Sequence, residues 1–107
     1  MVKKTDLIEE IRKFAIRASA KIKITSLFLF GSQATGRPGK DSDVDLLIVS
    51  PSFRGKRLYE RAWSLHELWS LDLPVDFLCL TPEEFEEKKS WVSSVAGIAL
   101  RNGVRIS

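Results

Sequence analysis

The segment LFLFGSQATGRPGKDSDVDLLIV, residues 27–49, constrains the chain more than any other stretch. An apolar run, Leu27 to Phe30, ends in Gly31-Ser32, and a second apolar run opens on Asp43-Val44-Asp45. In an extended strand, residues i and i+2 project from the same face. Asp43 and Asp45 therefore point together, with their Cα atoms roughly 6–7 Å apart. Two like charges so placed repel each other unless a cation lies between them. Mg²⁺ is a hard ion that prefers oxygen ligands, and it is commonly held by one or two carboxylates plus substrate phosphates. The segment predicts two strands and reads as a metal-and-phosphate site.

The rest of the chain supplies a frame for these strands. Lys3 to Ala20 reads as a helix, with Leu7, Ile8, Ile11, Ala15 and Ala18 at helical spacing. Thr5 or Asp6 is its candidate cap, with Glu9 and Glu10 in the first turn. Ile24 to Phe30 is the first strand, Ser32 to Gly36 a short helix or turn, and Gly36 to Ser42 a Gly- and Pro-bearing loop. Asp43 to Val49 is the second strand, stopped by Ser50-Pro51. A helix over Arg54 to Leu71 places Leu58, Ala62, Leu65 and Trp69 on one stripe. Leu73 to Leu80 is the third strand. Thr81-Pro82-Glu83-Glu84 reads as a helix start, and a last helix runs from Trp91 to Arg101, ended by Asn102-Gly103. The order predicts an α/β (α+β) domain with a small mixed sheet and flanking helices.

Written as a pattern, the central segment is G-S-x10-D-x-D. It resembles the signature of the nucleotidyltransferase superfamily that includes DNA polymerase β, and in particular its minimal nucleotidyltransferase branch. The spacing, the flanking apolar strands and the run Ser42-Asp43-Val44-Asp45-Leu46-Leu47 carry the resemblance. The family also uses a third carboxylate on a later strand. Pro74-Val75-Asp76-Phe77-Leu78-Cys79-Leu80 offers Asp76, alone in an otherwise apolar run. The resemblance implies the polymerase β palm-like fold and two Mg²⁺ ions, with Asp43 and Asp45 bridging both and Asp76 completing the shell of one. It also implies ATP as substrate, with Gly31 and Ser32 at the triphosphate. Thr35 stands where many members carry Arg; the nearest cations are Arg37 and Lys40. A P-loop is excluded, because Arg37 and Pro38 replace its Lys and its Ser or Thr.

Composition narrows the function classes. A chain of 107 residues predicts one domain, residues 1–107. A net charge of +3 suits nucleotide phosphate but proves no nucleic-acid partner. The sequence shows no long basic stripe or aromatic platform of the kind nucleic-acid binding usually needs. No apolar run reaches membrane-spanning length, and no signal peptide is evident, so a cytoplasmic location is expected. One cysteine, Cys79, excludes an internal disulfide framework and reads as a buried thiol. His66 reads as a surface or packing residue. Trp63, Trp69 and Trp91 read as core, while three tryptophans in so small a domain leave room for an interface in a homo- or hetero-oligomer.

With few residues after its third strand, the chain is expected to lack the domain that larger relatives append. An acceptor supplied from elsewhere is therefore expected. Chains of this kind resemble the antitoxins paired with HEPN-domain ribonuclease toxins. That resemblance implies transfer of AMP from ATP to a tyrosine of a HEPN partner. Two other readings stand beside it: a module that neutralises or organises a partner by contact alone, and a small-molecule transferase of the aminoglycoside type. For Asp43 and Asp45 the bland reading is a solvated strand end; for Asp76 it is an ion pair with Arg on a partly buried face.

Overall fold

A computed structural model describes residues 4–31, 43–90 and 95–106. Ser32, Thr35, Arg37, Lys40, Ser42 and Trp91, each weighed in the sequence, lie outside the described residues. The elements are α1 (Lys4–Ser19), β1 (Ser26–Phe30), β2 (Val44–Val49), a 3-10 turn (Pro51–Phe53), α2 (Leu58–Leu68), β3 (Val75–Leu80), α3 (Pro82–Lys88), α4 (Val95–Asn102) and β4 (Val104–Arg105). The four strands form one sheet in the order β3-β2-β1-β4. β1 runs antiparallel to both neighbours, whereas β2 and β3 are parallel. Parallel neighbours need a crossover connection, and α2 provides it.

Strand alternation divides the sheet into two faces. Leu27, Leu29, Val44, Leu46, Ile48 and Cys79 face α1 and α2, packing with Leu7, Ile11, Phe14, Ala18, Phe53 and Leu65. Phe14 sits at the centre of an aromatic group, 5.3 Å from Trp69 edge-on and 5.5 Å from Phe77 stacked. The opposite face carries Phe28, Leu47, Val49 and Leu80, covered by Phe85 of α3 and by Ala96 and Ala99 of α4.

The structure differs from the sequence reading at several borders. α1 already includes Lys4, so Asp6 lies in its first turn rather than at a cap. The helix expected over residues 54–71 contracts to 58–68. Ser50 caps the 3-10 turn through Ser52 N–H instead, at 3.0 Å. Leu58, expected on the core stripe, is exposed at the helix's first position. Trp63, read as core, is 71% exposed, whereas Trp69 packs and donates its indole N–H to Leu73 O at 2.8 Å. His66 is exposed with its ring edge-on to Phe77 at 4.8 Å, as a packing residue would be. β4, missing from the sequence reading, pairs Arg105 with Phe28 and Val104 with Leu29. A two-residue strand carries too little alternation to be read from sequence. Gly103 makes this pairing feasible, because a Cβ there would overlap Ala99 O and crowd Leu29 O.

Polar contacts anchor α2 at both ends. Arg61, only 8% exposed, donates from Nε to Lys56 O (2.9 Å) and from Nη1 to Cys79 O (3.0 Å) and Glu84 Oε1 (2.7 Å). Glu84 also accepts from Thr81 N–H, while Thr81 Oγ1 accepts from Glu84 N–H, so the helix start foreseen at 81–84 is closed by a capping box. At the other end Arg17 Nη2 donates to Leu68 O and Ser70 Oγ, both at 3.1 Å. These bonds occupy a terminal carbonyl that the helix itself leaves unpaired. Cys79 is buried, and burial pushes its thiol up to about 12, as expected of an inert cysteine. Among the described residues no helix is long and apolar enough to cross a membrane. Replacing Phe14 by Ala removes the ring shared by α1, α2 and β3. Urea denaturation should show a loss of about 3–5 kcal/mol in stability.

Candidate active site

The aspartates sit where the second face runs out of helix. Along β2, Asp45, Leu47 and Val49 alternate onto the α3/α4 side; along β3, Asp76, Leu78 and Leu80 do the same. Leu47, Val49 and Leu80 are buried, but Asp45 is half-buried and Asp43 and Asp76 are exposed. The cover of α3 and α4 therefore ends short of the carboxylates, leaving them open to solvent on one side and backed by packed sheet on the other.

Register brings the third carboxylate to the pair. Asp45 is the direct partner of Asp76 across the parallel ladder, and Val44 N–H donates to Pro74 O at 2.9 Å just before it. Adjacent strands lie about 4.8 Å apart, so these two side chains are neighbours on one face. On the other side Asp45 pairs with Phe30, making a row Phe30–Asp45–Asp76 across three strands. Asp43 precedes this row by two residues. Asp43, Asp45 and Asp76, separated by 33 positions in sequence from first to last, are thus gathered at one end of one face.

Gly31 closes the other border of the site. Its φ of +76° is a left-handed conformation that favours glycine. A Cβ at this position would overlap Asp45 Oδ2, so the missing side chain is what lets the backbone turn beside that carboxylate. The glycine foreseen as a phosphate-approach residue is also a spacer for Asp45. Ser32, its expected companion, lies outside the described residues.

The electrostatics follow from this crowding. The Asp45 carboxyl titrates above its ordinary value, first because burial disfavours its charge and then because Asp76 and Asp43 add negative potential. Among the described residues no arginine forms an ion pair with Asp45 or Asp76, so the pair considered for Asp76 is not formed there. Among the described residues no three His, Cys, Asp or Glu side chains already form a cluster able to cage a metal. The donor set instead suits a hard cation that takes only part of its shell from carboxylates and the rest from phosphate oxygens and water.

Comparison with known proteins agrees with this arrangement. The pattern that defines the nucleotidyltransferase domain matches residues 8–104. The chain belongs to the nucleotidyltransferase domain family. Its fold is that of a crystal structure of a candidate nucleotidyltransferase from Sulfolobus solfataricus, with a TM-score of 0.68 over 95% of this chain and 80% of that one, at 16% identity. No curated protein matches the sequence significantly. The mixed sheet with flanking helices expected from sequence is therefore the nucleotidyltransferase fold.

Within this nucleotidyltransferase domain, sequence reasoning overlooked Phe30 and Leu78. They extend the site's floor beside Asp45 and Asp76 and pack on the second core. Their alternation was visible, but their neighbours depend on strand register, which the sequence does not print.

The raised titration of Asp45 carries a sign. A carboxyl held more tightly protonated in the folded state costs stability when ionised, and the cost is present above its folded pKa. It disappears below the unfolded carboxylate range, where both states are protonated. Without divalent ions, Asp45→Asn should melt at a higher temperature than the parent at neutral pH. The difference should vanish as pH falls through the carboxylate range, as read by thermal melts across pH.

Proposed function

We propose that this nucleotidyltransferase domain moves AMP from ATP to a hydroxyl of a separate protein, in a Mg²⁺-dependent reaction, and that the acceptor is a tyrosine of a HEPN ribonuclease toxin. The observation that supports transfer most directly is the gathering of Asp43, Asp45 and Asp76 at the open end of one sheet face. Bound there, paired Mg²⁺ ions would clamp the attacking and leaving oxygens and offset charge that builds on the phosphoryl group.

In this reading Asp43 and Asp45 would hold the ions at the start of β2, where they would supply the charge that offsets the phosphates. Asp76, across the ladder from Asp45, completes the set and accepts the proton of the acceptor hydroxyl. The freed oxygen attacks the α-phosphorus, a new oxygen–phosphorus bond forms, and the bond to the bridging oxygen of the β-phosphate breaks. Pyrophosphate leaves with the electron pair. Gly31 lets the triphosphate tail come near the backbone, and Ser32 grips it. The choice of AMP, of a protein acceptor and of a HEPN partner rests on resemblance to antitoxin chains. A cytoplasmic location follows from the same reading.

The test combines the purified chain, Mg²⁺, labelled ATP and the product of the neighbouring gene. Label from α-labelled but not γ-labelled ATP should appear on that protein. Asp43→Ala, Asp45→Ala and Asp76→Ala should each lower transfer by a hundredfold or more, of the order seen when a transition-state electrostatic contact is removed. A stable complex without transfer would point instead to neutralisation by contact. Label on an aminoglycoside would point to small-molecule transfer.

A further inference from the structure

The end of the sheet away from the aspartates is basic. Lys21 and Lys23 lie in the turn between α1 and β1, and Arg54, Lys56 and Arg57 lie between the 3-10 turn and α2. These two segments are distant in sequence, and the fold joins them. Lys23 N–H donates to Ser52 Oγ at 3.1 Å, and Thr25 N–H donates to Val49 O at 2.8 Å. All five cations are exposed. Arg54 pairs with Glu83, whereas Lys21, Lys23, Lys56 and Arg57 have no ion-pair partner among the described residues. Residues 20–25 and 50–60 together carry a single carboxylate, Glu60. A surplus of unpaired cations on two abutting turns is complementary to a polyanion.

Aromatic rings border these cations. Tyr59 and Trp63 stand one turn apart on the outward side of α2, directly after Lys56 and Arg57, and they are 67% and 71% exposed. Rings beside cations distinguish one polyanion from the others. A single strand of nucleic acid brings phosphates for the cations and unpaired bases whose flat faces stack on the rings, whereas a duplex keeps those faces inside. Two carboxylates bound the surface. Exposed Glu60 and Glu67 lie along one flank of the rings, where they repel phosphate, and His66 lies on the other. The phosphates are therefore placed on the cations before the helix, and the bases along Tyr59 and Trp63.

We infer that this end of the molecule binds a single-stranded nucleic acid through its phosphates and base faces, features that RNA and DNA share. Lys21, Lys23, Lys56 and Arg57 take the phosphates, and Tyr59 and Trp63 take the bases. The sequence shows no basic stripe because the cations come from two separate segments that only the fold brings together. β2 rises roughly 16 Å from Val44 to Val49, so this surface and the aspartates lie at opposite ends of the strand and both can be filled at once. The inference does not depend on which acceptor the domain serves.

Fluorescence anisotropy with labelled single strands of about 12 nucleotides, one of RNA and one of DNA, tests it. Binding should occur with Mg²⁺ chelated, since the aspartates take no part. Log affinity should fall with log salt with a slope of about −3, the value for four phosphate contacts on a single strand. Lys21→Gln/Lys23→Gln should make that slope shallower by about one. Trp63→Ala should weaken binding about fivefold or more. Glu60→Gln should tighten it. All these side chains are exposed, so the variants should melt as the parent does. A duplex of the same length should bind more weakly than the single strands. Preference between RNA and DNA reports the sugar, and either one bound through these residues supports the inference. It is overturned if neither strand binds, if binding requires Mg²⁺, or if the lysine and tryptophan variants bind as the parent does. A poly-glutamate peptide that binds as tightly as the strands, unaffected by Trp63→Ala, would overturn it too, assigning the surface to an acidic protein.

Discussion

The parallel pairing of β2 with β3 is the constraint on which the site depends. Asp45 is set on this face by strand alternation, with Asp43 just before the strand's first residue, but Asp76 reaches them only through register. A slip of one residue would turn Asp76 to the opposite face, against Phe14 and Leu65, and turn Phe77 out of that core. Burial prevents that slip. Val75, Phe77 and Cys79 pack on the α1/α2 side, and Leu78 and Leu80 on the other, so every residue of β3 except Asp76 contributes to a core. Hydrophobic patterning thus sets the register of a charged side chain that makes no side-chain hydrogen bond among the described residues.

Supports at the far end of the sheet act in the same direction. Arg61 binds the end of β3 through Cys79 O and the capping box of α3 through Glu84. The Arg61 guanidinium and the Thr81 N–H lower the Glu84 carboxyl from its ordinary value, against the opposing effect of partial burial. Removing one partner of such a buried pair leaves the other unpaired, which is more damaging than never having had the pair. α2 is therefore pinned at its start by Arg61, at its end by Arg17, and along its length by Leu65, while its outer stripe is left free for another surface. One face of the sheet carries most of the core; the other combines a smaller core with an open end where charge is concentrated.

Much of this was legible in the sequence because it is local. The three longer strands, the amphipathic α1 and the capping box at Thr81–Glu84 depend on spacing within a few residues. The Gly31–Asp45 relation was legible as a motif, though its steric cause, an Asp45 oxygen occupying the space of an absent Cβ, was not. What escaped depends on tertiary contact. β4 is too short for alternation to reveal, and it exists because Gly103 fits against Ala99 and Leu29. Trp63 reads as core from its type, although the stripe of Leu58, Ala62, Leu65 and Trp69 leaves it out; Trp69, on that stripe, packs beside Phe14. Nothing in the sequence marks Arg61, and only the fold shows three acceptors around it.

The central claim is that Asp43, Asp45 and Asp76 form one cation-dependent triphosphate site at the open end of the sheet. Its most direct test is a crystal structure grown with Mn²⁺ and a non-hydrolysable ATP analogue, with the metal located by anomalous scattering. The account predicts metal density against Asp43 and Asp45, within reach of Asp76, with the triphosphate passing Gly31. Metal and triphosphate bound elsewhere on the chain, with the three carboxylates left in solvent, would contradict it.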